Sequence, residues 1–120
     1  SLLGAGRFAG SYSGRFAGGG SGSIHFTISG TNVTGTLSGV CTKNPCQGDA
    51  VAGSFRGSIS DLGIIRTSLT GTLTSTSGFT GSFGFSGSLN GAADGRSAGG
   101  EWVGHNKYGD PAGTWSAGKQ

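Results

Sequence analysis

Charge is scarce in this chain. Only 11% of its 120 residues are charged, eight of them basic and five acidic. The basic residues, Arg7, Arg15, Arg56, Arg66, Arg96, Lys43, Lys107 and Lys119, are spread thinly and form no cluster. A nucleic-acid partner needs a concentrated basic patch, so none is expected, despite a net charge of +3. Long apolar runs are missing too. None approaches the ~18 residues of a membrane helix, so no transmembrane segment is expected. No window carries an apolar period of about 3.6 residues, which leaves little room for helix. Cysteine is limited to Cys41 and Cys46 in CTKNPC. That gap, with no histidine nearby, fits neither a redox motif nor a metal knuckle. A small disulfide pinning a turn at Asn44-Pro45 is the simpler reading, and it implies an oxidising, extracellular or cell-surface setting.

Glycine is the abundant residue, at 28 positions. Such a composition often marks a disordered chain, but disorder comes with few aromatics and much charge. Here seven Phe, two Trp and two Tyr recur in regular alternation, which predicts a folded chain. In GFTGSFGFSGSLNG the odd positions carry Phe79, Phe83, Phe85 and Leu89, and the even ones are small or polar. A period of two is a strand with one dry and one wet face.

The same parity holds along the chain. It predicts inward Phe8, Tyr12 and Phe16, then Ile24, Phe26 and Ile28, then Val33 and Leu37. Val51, Phe55 and Ile59 follow, then Ile65, Leu69 and Leu73, and finally Trp102 and Trp115 with Ala117. Glycines occupy the same inward series, often next to these bulky residues. A large side chain lying over a neighbour's glycine fills the gap and permits sharp curvature. A strongly curved sheet of about eight strands closes on itself and loses its edges. The Gly-x-apolar-x-Gly units recur at irregular spacing, which favours hairpins over a solenoid. The predicted fold is therefore all-β, an antiparallel up-and-down meander of about eight strands in a closed or nearly closed glycine-rich barrel. One domain spans 1–120, with 1–10 as an extended N-terminal segment.

Two stretches carry a family resemblance. GSIHFTISGTNVTGTLSG resembles the paired strands of transferrin-binding-protein-B-like barrels, the eight-stranded domains of bacterial surface lipoproteins. GRSAGGEWVGHNKYGDPAGTWSAGKQ is similar to that family's closing hairpin, with Gly99, Gly100, Trp102, Gly113, Trp115 and Ala117 at the matching positions. The resemblance implies a surface module that grips a protein. Family members use long loops for this and carry an N-terminal lipid-acceptor cysteine; the loops here are short, and that cysteine has no counterpart.

Residues with chemistry to offer are few. Four of the five carboxylates, Asp49, Asp61, Asp94 and Asp110, sit in turn-like contexts, where Asp serves the local backbone. His25 falls on the outward parity of its strand. His105, Glu101 and Asp110 lack the usual metal-ligand spacing. No serine sits in a nucleophile elbow. No enzymatic activity and no cofactor are expected. The exposed candidates for binding are Tyr108, His105 and Lys107 in the last loop, since inward parity assigns both tryptophans to the core. The outward face is mostly Ser and Thr, with few charges to repel a neighbour. Two functions fit: a secreted or cell-surface module for binding or adhesion to protein or glycan, or a self-assembling subunit of a filament or surface layer. In the second, copies would exchange the N-terminal segment.

Overall fold

The computed structural model describes residues 6–74, 81–107 and 109–120. It contains eight strands: β1 Gly10–Gly18, β2 Gly20–Ser29, β3 Asn32–Cys41, β4 Ala50–Ile59, β5 Ile64–Thr74, β6 Ser82–Ala93, β7 Ser97–His105 and β8 Ala112–Lys119. Each pairs antiparallel with the next, and β8 returns to β1, so the meander closes into a barrel. The predicted architecture is the observed one.

The register fixes the barrel's width. One row of partners runs Gly10, Ile28, Val33, Gly57, Thr67, Leu89, Trp102, Gly113 and Gly18. The row re-enters β1 eight residues from its start. Eight strands with that stagger tilt by roughly 36° and enclose a radius of about 7 Å. Opposed residues of antiparallel strands point to the same side, so the whole row faces inward. A bulky group from every strand would not fit so narrow an interior. Glycine alternating with large residues resolves the crowding. Gly35 lies between Phe26 and Phe55, and Gly100 between Gly91 and Trp115. A methyl on Gly35 would lie 2.6 Å from Phe55 Cζ, and one on Gly91 2.8 Å from Trp115 Cζ2.

Rings fill the remaining space. Tyr12 stacks on Phe26 at 5.0 Å, and Trp115 meets Phe26 edge-on at 5.6 Å. Their polar atoms find partners, as buried rings require. Tyr12 Oη donates to Phe8 O at 2.8 Å, and Trp115 Nε1 to Asn90 O at 3.1 Å. Outward positions carry Ser, Thr and Arg, so the wall is wet outside and dry inside, the inverse of a membrane-spanning barrel. Among the described residues no helix is long and apolar enough to cross a membrane.

The core differs from the sequence expectation in two respects. Phe83, Phe85 and Trp102 are half-buried, because they lie toward one end of the barrel where the interior opens. Phe8 is fully buried, as predicted, although it precedes β1; its backbone leaves the sheet, and its ring closes the other end. Thr67 is buried on the inward face, where its hydroxyl donates to Leu89 O at 2.7 Å. Phe79 lies outside the described residues. The remaining predicted core residues, Tyr12, Phe16, Ile24, Phe26, Ile28, Leu37, Phe55, Ile59, Leu69, Leu73, Leu89 and Trp115, are buried as expected.

Candidate functional site

The two ends of the barrel are unlike. One collects the β2–β3, β4–β5 and β6–β7 turns, the start of β1 and the end of β8. It is sealed by Phe8, whose ring packs over Gly63, while Arg7 O lies 3.0 Å from where a methyl on Gly95 would stand. Turn geometry there is tight. Ser60 Oγ accepts from the amides of Leu62 and Ile64, and Gly63, at φ 83°, donates back to Ser60 O at 2.9 Å. Asp94 Oδ1 accepts from the Arg96 and Ser97 amides at 2.8 and 2.9 Å, and these bonds hold its pKa below the ordinary value.

The opposite end carries the β1–β2, β3–β4 and β7–β8 connections. Cys41 and Cys46 form the predicted disulfide, which pins the β3–β4 loop around a cis Asn44–Pro45 bond. The loop is closed further by Cys41 N–H to Asp49 O and Asp49 N–H to Cys46 O, both 2.9 Å. Thr42 N–H bonds Gly19 O at 3.2 Å, and Gly19 N–H bonds Ala112 O at 2.9 Å. Three connections are thereby tied into one rim.

Inside the rim the interior is not filled. An apolar cavity of about 50 Å³ is lined by Phe16, Val51, Leu73, Phe85, Trp102 and the disulfide, among others. The half-buried positions of Phe85 and Trp102 follow from it. Trp102 is held against the wall, its Nε1 donating to Ala17 O at 3.0 Å and its ring edge-on to Phe16 at 5.9 Å. The cavity shares Gly19, Cys41, Cys46, Asn106 and Pro111 with a shallower groove of about 340 Å³ that runs between the β3–β4 and β7–β8 loops. We call this end the mouth.

Of the predicted binding residues, His105 and Lys107 fall at the same end. His105 closes β7 and is exposed, with Nδ1 2.9 Å from Asp110 Oδ1 across the β7–β8 loop. The Lys107 ammonium sits 3.6 Å from the Phe83 ring centroid. Tyr108 lies outside the described residues. Glu101 sits four residues before His105 on the outer wall, opposite Asn90 and Thr114, so it does not join the His105–Asp110 pair. Among the described residues no three potential metal ligands come together. His25 is on the wall, as its parity predicts, with Nδ1 2.7 Å from Ser13 Oγ. Sequence reasoning missed the cavity itself. Its signal was the pair of inward glycines Gly20 and Gly104, where the parity elsewhere supplies large residues.

Comparisons with protein-family models, with curated proteins and with solved structures find no match to this chain.

Proposed function

We propose that this chain is a non-catalytic secreted or cell-surface β-barrel module that binds a protein or glycan partner through its mouth. One observation carries the reading. The barrel is sealed by Phe8 at one end and offers, at the other, a dry cavity inside a cross-linked rim. A rim tied by a disulfide loses little freedom on binding, so a partner's apolar group entering it meets a pre-organised surface. The disulfide and the resemblance of the β7–β8 hairpin to transferrin-binding-protein-B-like surface barrels support the extracytoplasmic setting.

The rival reading, a filament or layer subunit that exchanges residues 1–10, is supported by the sparse charge of the outer wall. Against exchange stands Phe8, fully buried within its own chain, and the pairing of β1 with both neighbours. Removing residues 1–5 leaves Phe8 in place; normal assembly by that truncated chain would rule out exchange of those residues.

The binding reading is tested by capture. Immobilised wild-type protein and a Val51→Phe variant, which fills the cavity, are compared against extracellular glycoproteins and a glycan array. A partner held by wild type and lost by V51F is expected. A partner held equally by both would place the site elsewhere.

A further inference from the structure

Large apolar side chains exposed among the described residues are three: Val40, Leu62 and Ile64. None lies along the middle of the wall. Leu62 sits in the β4–β5 turn and Ile64 opens β5, both at the sealed end, and Val40 stands beside the rim of the mouth. The ends, not the sides, are therefore the adhesive faces of this barrel. Leu62 is the extreme case, 82% exposed at the tip of its turn. Its backbone is fixed by the two amide bonds to Ser60 Oγ and by Gly63 N–H to Ser60 O. A rigid aliphatic knob thus projects from one end, and an aliphatic-sized hole opens at the other.

We propose that the mouth receives the β4–β5 turn of a second copy, Leu62 leading, so that barrels join head to tail. The proposal rests on the reading of the mouth as a binding face and names the occupant. Size sets the depth of entry: a cavity of about 50 Å³, roughly a third of the volume that holds a benzene ring, takes the branched tip of a leucine but not an aromatic ring. Area fits a weak contact. The 19 × 17 Å Cα cross-section, widened by side chains, caps the contact at about 600 Å² per copy, ~1,200 Å² in all, which is no more than the lower bound for a specific interface. The contact is heterologous. Turn and mouth lie at opposite ends of one long axis, so the contact makes no two-fold dimer and adds copies along a line.

Sedimentation velocity from micromolar to millimolar protein tests this. Wild type is expected to grow into open-ended oligomers as concentration rises. Leu62→Asp, which alters only an exposed tip and leaves the core intact, should weaken association by about tenfold or more. V51F should do the same by filling the hole, with its fold checked by near-ultraviolet circular dichroism. Mixed, the two variants should form a 1:1 dimer and stop. The L62D copy contributes an intact mouth and the V51F copy an intact turn. Wild type that stays monomeric throughout, L62D that assembles like wild type, or a mixture that stays monomeric while wild type assembles would each overturn the proposal. A monomeric wild type that still loses its captured partner on V51F would leave the mouth a binding face with a different occupant. If V51F changed neither assembly nor capture, the mouth would be no site at all.

Discussion

At Gly71 a methyl group would stand 2.5 Å from Phe85 Cζ and 2.6 Å from Gly53 Cα, and would press on Ala52 O. At Gly84, one strand further on and facing outward, it would meet nothing within 4 Å. Gly71 faces inward between Gly53 and Phe85, Gly84 faces outward beside Thr72, and their alanine variants separate space from composition. Gly71→Ala is expected to cost roughly 3 kcal/mol through overpacking, whereas Gly84→Ala should change stability by less than about 0.5 kcal/mol. Urea unfolding of both, read by Trp fluorescence, checks the pair; equal losses would mean the inward glycines are not space-fillers. Tyr12 gives a second residue-level expectation. Burial, then the nearby charge of Asp94, raises its pKa above the ordinary 10.0. The folded chain therefore holds the phenol proton more tightly than the unfolded one. That contribution is complete below pH 10 and disappears as pH rises through the folded value. The unfolding midpoint of wild type should fall more steeply above pH 10 than that of Tyr12→Phe, which has no phenol to ionise.

Elements differ in how they are held. β1 ends its outward reach at Gly10, and Phe8 then folds under the barrel as a stopper that anchors Tyr12 Oη. Phe8→Ala should cost about 3–5 kcal/mol, as for other fully buried aromatics, and thermal unfolding measures it. The β3–β4 loop is held by its disulfide. Replacing both Cys41 and Cys46 by Ser should cost about 2 kcal/mol, the loop-closure term for so short a ring. It should also loosen the rim, so that capture at the mouth weakens more than stability does. The strands themselves were legible in the sequence, because a two-residue period survives wherever bulky and hydroxyl residues alternate, as from Ile24 to Ile28 or Ile65 to Leu73. Phe8 was legible as buried but not as a stopper, since parity carries no information on where a strand stops pairing. Thr67 was passed over because threonine looks outward by composition. Only the register shows its hydroxyl returned to the neighbouring backbone. Trp102 and Phe85 were assigned to the core by the same parity, which places a residue on a face but not at a depth along the barrel. The cavity was illegible for that reason: it is a property of one end, made by residues from seven strands and three connections.

For the whole molecule, closure decides what surfaces remain. A sheet of eight strands left open would offer two unpaired edges, and association by strand addition would follow. With β1 and β8 joined from Tyr12–Lys119 to Gly18–Gly113, and a wall of hydroxyls outside, the exposed large apolar side chains, Val40, Leu62 and Ile64, lie toward the two ends. The proposed binding at the mouth and the proposed head-to-tail joining both depend on closure, and both lapse without it. Amide hydrogen exchange followed by NMR is the direct test. Closure predicts that amides of Gly14–Phe16 and Thr114–Ser116 exchange as slowly as those in the centres of β4 and β5. Fast exchange confined to β1 and β8, as in the outer strands of an open sheet, would contradict it.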